Sequence, residues 1–223
     1  AMRRLRRSNL SLGLMLESNA ERFCQPGMPH GKAPDKQPQK RRAMIAEAGR
    51  QKIPFTTGIL VGFGETKPER KEAIDVLADL HQRYGHVQEV IVQPFRPHAG
   101  TAMVESVAAS DADLLDAVAY ARLCMPESVT IQAPPNLADG ALEALIDAGI
   151  NDFGGISPVT PDFINPSYAW PHIESLAKRC AAKGFTLQAR LPVHRPYLQT
   201  SGWIDAGLRD AALLADARLR VAA

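Results

Sequence analysis

Thr56-Thr57-Gly58-Ile59-Leu60-Val61-Gly62-Phe63-Gly64-Glu65-Thr66 is an apolar, β-branched run that breaks into glycines and a carboxylate and gives way at once to a helical pattern. Pro68 suits a first helical turn, where it leaves no N–H unpaired. Ile74, Leu77, Leu80 and Tyr84 then recur at helical spacing. A strand feeding a helix in this way is a βα unit. The run is apolar throughout rather than alternating, the pattern of a strand covered on both faces and hence of a parallel sheet.

The same alternation extends to both sides of this unit. Further strands are expected at Leu10 to Leu16, at Glu89 to Phe95, at Val129 to Gln132 and at Ile150 to Phe153, with the central one over Ile53 to Val61. Helices are expected over about Gln39 to Lys52 (Met44, Ile45 and Ala48 inward) and from the N-cap Ser110 to Met125, before Pro126. Another runs from Asp139 to Ala148, with Gly149 as a left-handed terminator. The last follows Pro171, burying Ile173, Leu176, Ala177 and Cys180 and ending at Gly184. A sixth short apolar run, Phe185 to Leu191, and a tail complete the chain. The class is α/β, with about five βα units.

A full (β/α)8 barrel takes roughly 250 residues, and the 223 residues here hold five units plus a tail. The arithmetic predicts a partial TIM-type barrel over residues 1–190 that lacks its first three units, with a C-terminal extension over 191–223. An opened parallel sheet leaves two unpaired edges for something else to cover.

Composition narrows the function classes. With 26 Lys+Arg against 24 Asp+Glu, the net charge is +2, and no broad basic field exists to hold a nucleic acid or an anionic membrane. The apolar runs are too short for a membrane span and the start AMRRLRRSNL has no apolar signal core, so a cytoplasmic protein is expected. Cys24, Cys124 and Cys180 are an odd number, far apart, which excludes a disulfide framework. Cys124 and Cys180 are expected as buried, inert thiols, whereas Cys24 stays open. His30, His98 and His194 lack metal-ligand spacing and are expected at the surface; no metal is assigned to this chain.

The chemistry-bearing candidates sit where strands end, the face on which barrel enzymes carry their sites. Without side chains at Gly58, Gly62 and Gly64, a planar group can lie against the backbone and bond its amides; a βα turn that simply needs glycines is the competing reading. The spacing is neither the dinucleotide fingerprint nor a phosphate loop. Glu17 closes the first strand and can hold an ammonium or ribose hydroxyls, or be a solvated loop acid. Gln93, an amide inside Val90-Ile91-Val92-Gln93-Pro94-Phe95, needs a partner from the protein or a ligand. Asn136 and Asp152 close their own strands and are expected to face the same mouth, although turn chemistry explains both equally well.

Gly13-Leu14-Met15-Leu16-Glu17-Ser18, Gly58 to Thr66 and Gly155-Ile156-Ser157-Pro158-Val159-Thr160 resemble radical S-adenosylmethionine enzymes, most closely the ring-closing FO synthase family. Gln88 to Gln93, Ile131 to Leu137 and Arg190-Leu191-Pro192-Val193 resemble the same family, so the likeness covers nearly the whole chain. The resemblance implies that Gly58-x-Leu60-x-Gly62-x-x-Glu65, with Gly64, lies beside the adenine of S-adenosylmethionine and that Glu17 faces its ribose or amino group. It implies that the intact enzyme forms the 5-deazaflavin chromophore of coenzyme F420 from a hydroxybenzyl-ribityluracil adduct with loss of ammonia. Gln93, Asn136 and Asp152 would then contact the polar uracil or ribityl groups.

The family holds a [4Fe–4S] cluster through C-x3-C-x2-C, which does not occur here. The resemblance therefore implies the cluster for the intact enzyme only and an inactive isolated chain. Its partners would be a small-molecule substrate and either the companion synthase subunit or the missing N-terminal half. Two other readings stay open: a related cyclising enzyme, such as that of the menaquinone pathway, and a non-catalytic fragment that binds S-adenosylmethionine or a partner chain.

Overall fold

In a computed structural model, residues 1–221 are described. The helix after Gly64 is the expected one. Thr66 accepts a hydrogen bond from the Glu69 N–H while Glu69 accepts from the Thr66 N–H, a reciprocal cap that starts α3 (Lys67–Tyr84). Gly85, at φ 65°, ends it in the left-handed region that glycine adopts without a Cβ penalty. Four strands, β1 (Leu12–Gly13), β2 (Phe55–Val61), β3 (Val87–Pro94) and β4 (Thr130–Gln132), pair in that order, all parallel. The crossovers are α2 (Pro38–Arg50), α3 and α4 (Asp111–Cys124), the last capped by Ser110 as its sequence predicts. A short helix, α1 (Met2–Leu5), precedes β1.

The core lies on one face of this sheet. Phe55, Thr57, Ile59 and Val61 of β2 and Val90 and Val92 of β3 are buried against Ile45, Ile74, Leu77, Leu114 and Val118. The other face, which carries Thr56, Leu60, Ile91 and Gln93, is only half-buried. Coverage on both faces, expected from the unbroken apolar runs, therefore holds for one face alone. Gly58 pairs with Ile91 of β3, and a Cβ there would lie 2.1 Å from the Ile91 carbonyl oxygen.

Several elements differ from expectation. β1 is two residues long and resumes only as a bridge between Glu17 and Ile59; Glu17 itself takes φ 64°, outside the extended region. Ile150 to Phe153 forms no strand; Asp152 bridges Gln132 once, and its side chain then turns back to accept from the Gly154 N–H at 2.6 Å. The helix from Asp139 begins as a 3-10 turn and becomes α5 (Leu142–Ala148). Met44 in α2 and Ile173 in α6 (Ile173–Ala182), both expected inward, are 45% and 43% exposed. Phe185 to Leu191 is irregular. Cys180 is buried as expected, but Cys124 is half-buried beside the Asp75 carboxylate.

The tail carries α7 (Arg195–Gln199) and α8 (Ala206–Val221), and Val193, Tyr197, Leu198, Ile204 and Ala212 form a second, smaller apolar cluster. It is fastened to the starts of the strands. The Pro192 carbonyl accepts from Ser11 at 3.0 Å and Gln88 at 2.9 Å, and the Tyr197 hydroxyl donates to the Gly85 carbonyl at 2.9 Å. Among the described residues no helix is long and apolar enough to cross a membrane.

Candidate functional site

At the ends of β1 and β2, two carboxylates have different tasks. The Glu65 side chain, 2% exposed, accepts from the backbone N–H groups of Gly62 (2.7 and 2.9 Å) and Phe63 (3.0 Å) and pairs with the buried Arg70 guanidinium at 2.9 Å. It ties the glycine loop into shape. Gly62 has φ 84° and a Cβ there would fall 2.5 Å from the Ala109 Cβ, so backbone conformation and close packing both demand glycine. Gly64, at φ 116°, is exposed, and Leu60 and Gly62 are half-buried on the open face and rim.

Glu17 stands beside this loop. Its N–H donates to the Gly58 carbonyl at 3.0 Å and its carbonyl accepts from the Leu60 N–H at 2.9 Å, which locks the residue into the ladder. Its carboxylate, 15% exposed, meets Lys36 Nζ at 2.8 Å, His30 Nε2 at 3.1 Å and Arg41 Nη1 at 3.9 Å. Burial pushes its pKa up, but the bonds from His30 and Lys36 outweigh burial and hold the carboxyl below its ordinary value. His30 is 7% exposed, not a surface residue, and stacks on Phe63 at 5.6 Å. Nothing near His30 in sequence signals this, because the loop from Ser18 to Gln37 brings it over β2 from a distance. Cys24, in the same loop, is half-buried with its thiol 3.8 Å from the Lys36 carbonyl.

The candidates on later strands separate. Gln93 is half-buried opposite Leu60. Asn136, 6% exposed, lies in the turn after β4 and donates to the Asp162 carboxylate and the Tyr168 carbonyl, so it faces the loop from Gly154 to Pro171. Asp152 is not grouped with it. Its carboxylate is bound by the Arg190 guanidinium, which also donates to Glu89 at 2.9 Å, and Glu89 in turn accepts from Thr56 at 3.0 Å.

Glu89, Asp152 and His194 have ligand atoms within 4.8 Å of one another, a constellation that sequence spacing did not reveal. The Arg190 guanidinium already binds both carboxylates there, so the protein's own cation compensates the charge. Burial and the Asp152 charge raise the Glu89 pKa against the pull of Arg190. His194 is half-buried, and burial, aided by the Arg190 charge, pushes its pKa down to about 4. His98, also expected at the surface, is half-buried against Asn165 and Tyr168.

Parallel strands alternating with helices, with the candidate polar residues gathered largely on the loops at the strand ends, define an α/β protein consistent with part of a (β/α) barrel. No protein-family model matches the sequence. Against curated proteins the chain is 46% identical, over 209 residues, to the 7,8-didemethyl-8-hydroxy-5-deazariboflavin synthase of Methanopyrus kandleri, covering 94% of this chain and 62% of that protein. It is 44% identical over 211 residues to the FO synthase of Mycobacterium tuberculosis, covering 93% of this chain and 25% of that protein. The synthase of Methanoculleus marisnigri is 46% identical over 196 residues, 56% of its length. The chain is a partial homologue of FO synthase, spanning about three-fifths of the archaeal relatives it matches.

Proposed function

We propose that the protein to which this chain contributes is a radical S-adenosylmethionine FO synthase. It closes the ring of a hydroxybenzyl-ribityluracil adduct, with loss of ammonia, to give the 5-deazaflavin chromophore of coenzyme F420. The observation that carries this reading is the 46% identity to a deazariboflavin synthase across 94% of the chain.

S-adenosylmethionine, when bound and reductively cleaved, supplies the radical that takes a hydrogen atom from the substrate. The residues of this chain fit its binding in one specific respect: Glu17 is a mostly buried carboxylate kept ionised at a strand end, able to accept from an ammonium or from ribose hydroxyls. Lys36, 35% exposed, is the partner that can yield its place. Leu60 and Gly62 offer an apolar edge and a bare backbone beside it. Gly58, Gly64 and Glu65 act through the shape of the strand and loop. Gln93 and Asn136 are assigned to the polar part of the substrate, and Asp152 acts with Arg190.

The three cysteines do not fit a [4Fe–4S] cluster. Cys24 is in the loop after β1, Cys124 is beside Asp75 at the end of α4, and Cys180 is buried in α6. Cluster ligands have to come from another segment or chain, and this chain alone is proposed to be inactive. The test is deazaflavin fluorescence from this chain supplied with a cluster-bearing segment, S-adenosylmethionine, a reductant and the adduct. FO is the expected product. Turnover of a different adduct with none of this one would transfer the assignment to a related cyclising enzyme.

A further inference from the structure

The net charge of +2 hides a local concentration of cations. A cleft of about 320 Å³ opens where α1, the end of α2 and the tail meet, and among the described residues it is lined by Arg3, Arg6, Arg50, Gln51, Lys52 and Gly202. Four of these six are cationic and none is a carboxylate. They come from three separate stretches of sequence, so the fold and not a charge run gathers them.

The cations are only partly compensated. Arg6 Nη2 donates to the Gly202 and Trp203 carbonyls, neutral acceptors that anchor its head without cancelling its charge. Arg50 pairs with Glu47 Oε2 at 2.7 Å, while Glu47 Oε1 accepts from Gln51 Nε2 at 2.5 Å. That carboxylate has both oxygens engaged and can neutralise one of the four cations. Arg3 and Lys52 are exposed, and no carboxylate among the described residues pairs with either. Lys52, just past α2, also takes φ 51°, a conformation usually left to glycine or asparagine, so the backbone strain sits at a cation of the cleft.

Like charges brought together repel, and an anion between them removes the repulsion. We infer that the cleft binds a diphosphate group, free or as part of a nucleotide. A single phosphate would neither fill the volume nor balance the uncompensated cations, and guanidinium forks match phosphate oxygens in pairs. No aromatic side chain lines the cleft to stack a base, so the phosphates are the recognised group. The cleft adjoins the start of β2, whereas Glu17 and the glycine loop stand at the strand ends. It is a second site, independent of the proposed synthase reaction.

Calorimetric titration of the full chain with inorganic diphosphate tests this, with inorganic phosphate and ADP as comparisons. Diphosphate should bind about tenfold more tightly than phosphate, with ADP within about threefold of diphosphate, and added salt should weaken all three. Lys52→Gln and Arg3→Gln, both at exposed positions, should each weaken diphosphate by about fivefold. Lys178→Gln, the same charge change at an exposed position of α6, should leave the affinity unchanged. Should one cleft variant fail to fold, the other decides. Equal affinities for phosphate and diphosphate, or equal losses in all three variants, would reduce the binding to a general attraction and overturn the inference. Absence of binding would overturn it too, as would a preference for ADP large enough to make the base the recognised group.

Discussion

Two carboxylate clusters on this sheet have opposite charge balance. Glu17 is a single carboxylate among Lys36, His30 and Arg41, and its pKa is lowered. Glu89 and Asp152 are two carboxylates around one Arg190, and the Glu89 pKa is raised. The first keeps an ionised group available at a strand end from partners on a loop. The second joins Arg190, just before the tail, to Glu89 near the start of β3 and to Asp152, and both carboxylates already share that guanidinium. Ligand binding is proposed at the first cluster, whereas the second ties distant parts of the chain together.

The largest expected effect concerns neither cluster but the loop beside Glu17. Glu65→Gln leaves the buried Arg70 guanidinium short of its counter-charge and should cost about 4 kcal/mol in denaturant unfolding. Arg190→Met should cost about 3 kcal/mol, toward the low end for a buried pair because the guanidinium is 29% exposed. A loss near zero would mean that the tail is not fastened through this pair. Gly58→Ala drives a Cβ toward the Ile91 carbonyl and should cost about 2 kcal/mol, without altering the tail.

The smallest effect separates the clusters by sign. A carboxyl with a lowered folded pKa stabilises above its unfolded pKa, and that stability is lost as pH falls through the folded value. Glu17→Gln should therefore flatten the acid limb of the stability curve. Glu89, with its raised folded pKa, contributes stability below its unfolded pKa that is lost as pH rises through the folded one. Glu89→Gln should gain on the parent protein as pH rises through that window. Unfolding curves between pH 3 and 7 check both, and slopes of the same sign in the two variants would dissolve the comparison.

Much of the fold was legible because its signals are local. The apolar runs at β2 and β3, Pro68 and Thr66 before α3, Ser110 before α4 and Gly149 after α5 each act within a few residues. The last strand was over-read: Ile150 and Phe153 flank polar Asn151 and Asp152, and the Asp152 side chain prefers the turn. The partners of the candidate residues were not legible. His30 and Lys36 reach Glu17 through an irregular loop, and Arg190 meets Glu89 from 101 residues away. Glu65 was visible as a carboxylate after the glycine strand, but not that its oxygens are spent on the Gly62 and Phe63 amides. No periodicity encodes such contacts.

The central claim is that S-adenosylmethionine binds at Glu17 and the glycine loop, away from the Arg190 cluster. Backbone amide spectra of the full chain with and without S-adenosylmethionine test it directly. The account predicts shifts concentrated at Glu17, Ser18 and Gly58 to Glu65, with Glu89, Asp152 and Arg190 unmoved; shifts centred on the Arg190 cluster, or none at saturating ligand, would contradict it.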